Sequence, residues 1–192
     1  MRIGITGGIG SGKSLISRIL DSMGYPIFNS DSAAKEIIKT NKEVQCAITG
    51  LFGVQAFVNG EYNRPFIAKE VFGNAQKLAQ LNELIHPHVR SAFEEFYTRN
   101  KHTLVFNEAA ILFETGLYKR FDASLLVVCP LELKMERLKS RDNSTKKEIL
   151  DRMKKQWSDE QKMKLADHII INDEHQSVLL QLNEILKKLA KA

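Results

Sequence analysis

A glycine-rich stretch near the start of the chain carries the clearest chemical signature. Residues 7–14 read GGIGSGKS and match G-x-x-x-x-G-K-[ST] at every fixed position. In this pattern the backbone N–H groups of the loop surround phosphate oxygens, and glycines leave room for their approach. Lys13 is expected to reach the β- and γ-phosphates of a nucleoside triphosphate, and Ser14 to offer its hydroxyl to Mg²⁺. The predicted ATP-binding residues here are Gly8, Ile9, Gly10, Ser11, Gly12, Lys13, Ser14 and Leu15.

Three further side chains suit phosphoryl transfer. Asp31 follows the second predicted strand, where a carboxylate would meet an acceptor hydroxyl, although its position alone favours capping a helix N-terminus. Arg137 and Arg141 stand four residues apart on one predicted helix face, so both guanidiniums can reach one polyphosphate. The alternative role of these arginines is ion pairing at the surface, with Glu132, Glu136 or Asp142.

Strands and helices must hold these residues, and the hydrophobic pattern predicts both. Short apolar runs predict five strands, at 2–6, 26–29, 103–106, 124–129 and 168–172. Helical spacing follows them at 13–23, from Asp31 onward, at 131–141, over the charged stretch 146–164 and at 178–189. This alternation predicts an α/β fold with a five-stranded parallel sheet between two helical layers. The glycine loop then lies between a strand and a helix, as a P-loop requires.

The segment 40–102 has a different pattern, with little strand-like alternation. Its apolar residues favour one helix at 78–85 and a second one at 88–97, separated by His86-Pro87. We expect a single domain whose core comprises 1–39, 103–135 and 158–192. A helical insertion at 40–102 and a lid at about 136–157 interrupt that core.

Bulk composition narrows the function classes. The chain has 192 residues and a net charge of +5, with its basic residues interrupted by acids rather than gathered in one tail. No nucleic-acid-binding motif accompanies the basic charge, so we expect no nucleic-acid partner. The two cysteines form no metal-ligand or disulfide pattern, which favours a reducing compartment such as the cytoplasm. No apolar run approaches the length of a membrane span, so we expect no membrane partner.

Three classes of P-loop protein compete at this point: a kinase, a GTPase switch, and a motor or regulatory ATPase. The guanine-reading [NT]-K-x-D is missing, because the sequences at Asn41 and Thr145 lack its final Asp. A kinase needs an insertion for its acceptor, an arginine-bearing lid and a carboxylate near the acceptor hydroxyl. The insertion, the arginines of 137–152 and Asp31 can supply these parts.

The order of the motifs resembles the dephospho-CoA kinase family. The resemblance spans residues 3–173, and its motifs follow in the family's order: GITGGIGSGKS, Ser30-Asp31, HPHV at 86–89, ILFETGL at 111–117, RLKSRD at 137–142, RMKKQW at 152–157 and ADHIIIND at 166–173. It implies that ATP phosphorylates the ribose 3′-hydroxyl of dephospho-CoA to give CoA and ADP. It also implies a P-loop kinase core, a helical CoA-binding domain at 40–102 and a lid.

The resemblance also implies roles for individual residues. Asp31 would orient the 3′-hydroxyl and accept its proton, with Lys13 and Arg141 as the other catalytic residues. The ATP site would add Arg137 and Arg141, and the metal site would pair Ser14 with Glu108. The acceptor site would comprise Asp31, His86, Phe113 and Glu114, although core packing is the alternative role of Phe113. Residues 156–157 and 171–173 are expected to border the adenine.

The chain departs from the family pattern at two places. The usual Asp-x-Pro-Leu-Leu-Phe-Glu appears as EAAILFE at 108–114, with a longer acid and no proline. The usual Asp-x-Asp after the second strand appears as NSD at 29–31. The expected substrates remain ATP and dephospho-CoA, with a monomer favoured. The alternatives are a P-loop kinase for a nucleoside monophosphate or a sugar acid, and an ATPase that binds nucleic acid.

Overall fold

The computed structural model describes residues 1–142 and 144–191. Residues 143 and 192, which fall in the predicted lid and the last predicted core segment, lie outside this description. In chain order the strands are β1 (Arg2–Gly7), β2 (Ile27–Asn29), β3 (Phe57–Val58), β4 (Glu61–Tyr62), β5 (Val105–Glu108), β6 (Ala123–Val128) and β7 (His168–Ile171). The helices are α1 (Lys13–Ser22), α2 (Ser30–Thr40), α3 (Lys42–Phe52), α4 (Arg64–Val71), α5 (Ala75–Asn100), α6 (Leu131–Asp142), α7 (Lys146–Met153), α8 (Asp159–Met163) and α9 (Val178–Leu189).

Five of the strands form one parallel sheet, as the alternating pattern predicts. Their order is β2-β5-β1-β6-β7, which places the strand before the glycine loop at the centre. In the register of the sheet, Ile3 of β1 is paired with Phe106 on one side and with Ala123 on the other. The five-stranded α/β fold predicted from the sequence is thereby confirmed.

Alternate strand residues build the main hydrophobic core of the unit formed by 1–28 and 100–192. Ile3 and Ile5 of β1 are fully buried beside Phe106 of β5, and they pack against apolar residues of α1 and α9. The opposite face of β1 is tightly covered, because a Cβ on Gly4 would collide with the side chain of Leu112. The apolar stripe predicted at 178–189 therefore faces this core.

The residues 29–99 form a second compact unit with its own core. The hairpin of β3 and β4 and the helices α2 to α5 contribute to it. Its buried members include Ile48 and Ala56, which are fully buried.

The prediction of two helices meeting at His86-Pro87 is wrong, because α5 runs without interruption from Ala75 to Asn100 and contains Pro87. Proline removes one intrahelical hydrogen bond and disfavours helix geometry in the residue before it. Apolar residues nevertheless recur at four-residue spacing on both sides, at Leu81, Ile85, Val89 and Phe93, and three of these are buried. Burial of this stripe outweighs the local penalty of the proline.

Two other segments differ from the sequence-based expectation. The strand predicted at 103–106 lies at 105–108, because the ladder with β1 pairs Arg2 with Val105 and Ile5 with Glu108. Glu108 is therefore the last residue of β5 and does not follow it. The stretch 146–164 forms two short helices, each begun by a capping box, at Thr145 and at Ser158.

The cap of α2 also differs from the expectation. Its N-cap is Asn29, whose side chain accepts a hydrogen bond from the Ser32 N–H at 2.8 Å. Asp31 is the second residue of the helix and is exposed. The capping role considered for Asp31 is thus filled by Asn29. Among the described residues, no helix combines the length and the apolar character that a membrane crossing requires.

Candidate active site

The glycine loop has a backbone shape that its glycines make possible. Gly10 and Gly12 have φ values of +80° and +97°, a region that side chains other than glycine rarely enter. A Cβ on Gly12 would collide with the side-chain amide of Asn172. Asn172 follows β7, is buried, and donates a 2.8 Å hydrogen bond to the carbonyl of Ser11. A residue from the far end of the chain therefore holds this part of the loop in place.

Lys13 opens helix α1 and points back onto the loop. Its Nζ donates to the Gly7 carbonyl at 2.9 Å and lies 3.5 Å from the Gly8 carbonyl. The ammonium group is thus held at the loop where phosphate oxygens are expected. Leu15, one of the predicted ATP-binding residues, is 40% exposed.

Ser14 and Glu108, the predicted metal ligands, are brought together. The Ser14 hydroxyl donates to Glu108 Oε1 at 2.9 Å, and Glu108 is buried. The parallel pairing of β1 with β5 explains this contact, because both strands run toward the same edge of the sheet as the loop.

The donor chemistry of this pair fits Mg²⁺. Hydroxyl and carboxylate oxygens are hard ligands of the kind that Mg²⁺ prefers, and phosphate oxygens and water usually complete its octahedron. Within the described part of the chain, no cluster of three or more His, Cys, Asp or Glu side chains is placed to hold a metal. A cation at Ser14 and Glu108 would therefore take its other ligands from the nucleotide and from water.

The two predicted ATP-binding arginines point to different partners. One guanidinium nitrogen of Arg137 donates to the Cys129 sulfur at 3.3 Å, and the other donates to Glu174 Oε1 at 2.8 Å. The first of these nitrogens lies 3.9 Å from the position that a Cβ on Gly12 would take, so Arg137 borders the glycine loop. Burial raises the pKa of the Cys129 thiol and outweighs the opposing effect of Arg137.

Arg141 makes a bidentate ion pair with its neighbour Asp142, at 2.7 and 3.0 Å. Arg152 of α7 donates to the same carboxylate at 2.8 Å. Hydrogen bonds from the two arginines hold the pKa of Asp142 at about 2. The surface pairing considered for Arg141 is therefore present with Asp142, and its assignment to ATP remains a prediction.

The ILFE segment after β5 is tied to the segment before α8. Glu114 Oε1 accepts from the Trp157 N–H at 3.0 Å and lies 2.8 Å from Nζ of Lys162, which is completely buried. Phe113 is 1% exposed and its ring contacts that of Tyr118, so it is a core residue in this structure. The acceptor-binding roles expected for Phe113 and Glu114 remain predictions.

Asp31 and His86 lie in the unit 29–99. The Asp31 carboxylate is exposed on the first turn of α2. His86 is half-buried in α5, and burial followed by the charge of Arg90 lowers its pKa, which favours the neutral imidazole at pH 7.

Sequence reasoning missed an ion pair beside the loop. Lys134 of α6 is buried and pairs with Asp159 of α8, and its ammonium lies 3.3 Å from the position of a Cβ on Gly8. A signal was present, because Lys134 stands four residues before Leu138 and so lies on the core-facing side of α6. A cavity of about 510 Å³ opens beside this pair, lined by Gly8, Ile9, Leu150, Met153 and Trp157 among others.

Solved structures resemble this fold over its whole length. A Thermus thermophilus crystal structure superposes with a TM-score of 0.86 and 36% identity, covering 100% of this chain and 96% of that one. Dephospho-CoA kinase from Campylobacter jejuni follows with a TM-score of 0.71 and 24% identity, covering 99% of this chain and 97% of that one. Shikimate kinase from Bacteroides thetaiotaomicron shares the fold with a TM-score of 0.55. The five-stranded parallel sheet and the glycine loop that follows its central strand thus define a P-loop fold of the kind that binds nucleoside triphosphates.

Sequence comparison specifies the family. The family model of CoaE, dephospho-CoA kinase, matches residues 1–177. Dephospho-CoA kinase of Bacteroides fragilis is 35% identical over 187 residues, 97% of this chain and 91% of that protein. The protein of the same name from Chlorobium chlorochromatii is 41% identical over 179 residues, 89% of this chain and 84% of that protein. The chain belongs to the dephospho-CoA kinase family.

Replacing Gly12 tests the loop geometry. Gly12→Ala should lower ATP affinity by about 100-fold, because the new methyl group displaces the Asn172 amide in addition to straining the backbone. Gly24→Ala is the matched control, since Gly24 has a φ of +86° but nothing within 4 Å of its Cβ position. That variant should lose about 1 kcal/mol of stability and keep its ATP affinity. Titration calorimetry measures both affinities, and equal ATP binding by the two variants would contradict the role of Asn172.

Proposed function

We propose that the chain transfers the γ-phosphoryl group of ATP to the ribose 3′-hydroxyl of dephospho-CoA, with Ser14 and Glu108 holding the Mg²⁺ of the nucleotide. The chain is a kinase of its family, which uses ATP to phosphorylate dephospho-CoA in CoA biosynthesis. The observation that carries the metal assignment is the 2.9 Å hydrogen bond between the Ser14 hydroxyl and Glu108 Oε1.

Lys13 and the loop amides are proposed to hold the phosphates. The ammonium of Lys13 now donates to the Gly7 carbonyl at 2.9 Å, and a phosphate oxygen would offer it a stronger, charged acceptor. A rotation about the flexible lysine side chain would exchange one acceptor for the other without moving the backbone. The positive charge then stabilises the negative charge that spreads over the transferred group.

Glu108 is proposed to fill the metal position despite its departure from the family pattern. The extra methylene places its carboxylate directly against the Ser14 hydroxyl. The Ser14 hydroxyl oxygen and Glu108 Oε1 therefore face one small volume. The metal, when bound, supplies positive charge that offsets the charge of the phosphate oxygens. Glu108 has to exchange its hydrogen bond with Ser14 for metal coordination or for coordination through a water.

Asp31 is proposed to aim the acceptor hydroxyl. Its carboxylate is exposed and is not the cap of α2, so it has no structural duty in that helix that would occupy it. As the new P–O bond forms at the 3′-oxygen, the hydroxyl proton passes to the carboxylate and ADP leaves with the electrons of the broken P–O bond. His86 and Glu114 are proposed to contact the same substrate.

Arg137 and Arg141 are proposed to neutralise phosphate charge. Arg137 is better placed for this in the structure, because it borders Gly12. Arg141 would first have to leave Asp142, and because that pair is solvent-exposed the exchange for a polyphosphate is energetically small. The segment 136–157 is proposed to act as a lid and 40–102 to hold dephospho-CoA. We also propose a cytoplasmic monomer without nucleic-acid or membrane partners.

An acceptor panel tests the function. ADP release should be at least about 100-fold faster with dephospho-CoA than with AMP, CMP or gluconate, because an acceptor site built around polar contacts rejects ligands that leave them unpaired. The measurement is a coupled ADP-release assay at one ATP concentration. Turnover with AMP but not with dephospho-CoA would overturn the proposal, and stimulation by DNA or RNA would favour the ATPase alternative.

Neutralising Glu108 tests the metal site. Glu108→Gln retains a hydrogen-bond acceptor for Ser14 but loses the charge, so kcat should fall about 100-fold and half-maximal activity should need more Mg²⁺. Glu132→Gln, the same change at an exposed position of α6, is the control and should stay within about twofold of the parent. An unchanged Mg²⁺ titration for Glu108→Gln would remove Glu108 from the site.

Substitutions at two nearby residues, Asp31 and Asn29, separate a catalytic role from helix capping at α2. Asp31→Asn should lower kcat by about 100-fold while ATP affinity and stability stay unchanged. Asn29→Ala should lower stability by about 1 kcal/mol, because it removes the acceptor of the Ser32 N–H. Steady-state kinetics, calorimetry and urea denaturation measure the three quantities. If Asp31→Asn weakens ATP binding as much as it slows turnover, the acceptor role is wrong.

A further inference from the structure

The side chain of Gln156 joins two segments that are distant in sequence. Its Oε1 accepts a 2.9 Å hydrogen bond from the backbone N–H of Ile9, in the middle of the glycine loop. Its Nε2 donates a 3.2 Å hydrogen bond to the backbone carbonyl of Ala110, two residues after Glu108. One planar amide thus spans the gap between the loop predicted to hold the phosphates and the segment that follows the proposed metal ligand.

The segment around Gln156 is held at several further points. The Trp157 N–H donates to Glu114, and the fully buried Lys162 pairs with the same carboxylate. Asp159 pairs with Lys134, whose ammonium lies beside Gly8. These contacts leave Gln156 little freedom, since its backbone is anchored on the side of residues 157–162. Its amide is therefore a short and stiff link.

Glutamine has the chemistry that this position requires. The contact needs an acceptor for one backbone group and a donor for another on the same side chain, which an amide offers and a carboxylate does not. The N–H of Ile9 belongs to the loop that is proposed to hold the phosphates, so its direction matters for the whole loop. An N–H without a partner would leave the loop free to adopt other shapes.

We propose that Gln156 is a positioning residue for phosphoryl transfer. It holds the Ile9 amide at a fixed distance from the Ala110 carbonyl. The phosphate loop therefore keeps its position relative to Glu108. In the nucleotide-free protein, Ile9 then contributes to the site through the hydrogen bond from its backbone N–H to Gln156. The consequence for catalysis rests on the function proposed above, whereas the state of the Ile9 amide does not.

The chain contains a matched control for this contact. Gln181 of α9 makes the same two kinds of hydrogen bond, accepting from the Ile171 N–H at 2.9 Å and donating to the Ile171 carbonyl at 2.9 Å. Both glutamines thus tie one backbone amide through Oε1. Gln181 is outside the proposed catalytic and binding residues, but its partner Ile171 lies at the expected adenine border. Saturating ATP removes any effect on adenine binding and leaves the structural effect of losing the amide.

The experiment compares Gln156→Met with Gln181→Met, each of which keeps side-chain length and loses both hydrogen bonds. Amide hydrogen exchange in the nucleotide-free protein should accelerate about tenfold or more at Ile9 in the first variant and at Ile171 only in the second. At saturating ATP, kcat/KM for dephospho-CoA should fall about tenfold in Gln156→Met and less than twofold in Gln181→Met. Gln156→Glu, which keeps the acceptor and loses the donor, should also lower kcat/KM and replaces Gln156→Met if that variant does not fold.

Two results would overturn the inference. The first is unchanged exchange at Ile9 in Gln156→Met, because the bond would then not hold that amide. The second is an equal loss of kcat/KM in the Gln156 and Gln181 variants, which would indicate a general structural effect. Absence of dephospho-CoA phosphorylation by the parent protein would contradict the proposed function instead, and the exchange result at Ile9 would still decide whether Gln156 holds the loop.

Discussion

The structure depends on holding the glycine loop at residues 7–14 in one backbone shape. Gly10 and Gly12 adopt conformations that other residues rarely enter, and they have no side chains to brace the loop. Lys13 braces the Gly7 carbonyl, and two residues from outside the loop complete the bracing, Asn172 on the Ser11 carbonyl and Gln156 on the Ile9 N–H. Both residues follow elements that lie late in the chain. Loop shape is therefore a property of the folded unit and not of the glycine motif alone.

Three basic side chains of α6 have acidic partners. Lys134 is paired with Asp159, Arg137 with Glu174, and Arg141 with Asp142. A buried cation without a partner would be strongly destabilising, which explains why Lys134 has one. The arginine pairs are more exposed, so the proposed exchange of their carboxylates for phosphate oxygens would carry little energetic penalty. Helix α6 thus combines a fixed cation with two cations that are proposed to contact phosphate.

The departures from the family pattern acquire physical meaning in the structure. Asn29 caps α2, which leaves the exposed carboxylate of Asp31 without that duty. Glu108 reaches the Ser14 hydroxyl with its longer side chain, so the pairing of strand β5 with β1 still delivers a carboxylate to the end of the phosphate loop. The loss of the usual proline leaves Ala110 in its place, and its carbonyl accepts from Gln156. Each change is local, and the five-stranded sheet around it is intact.

The sequence by itself determined the five-stranded α/β fold, the position of the phosphate loop and the family. These follow from local signals: apolar runs, helical spacing and a glycine pattern whose spacing is set by phosphate geometry. Tertiary structure alone decided the rest. Pro87 lies inside a helix because the stripe from Leu81 to Phe93 is buried on both sides of it. Strand β5 ends at Glu108 because its ladder with β1 sets its register. The contacts of Gln156, Asn172 and Lys162 join residues 40 to more than 100 positions apart. No local pattern encodes such contacts, because they arise only when packing brings the segments together.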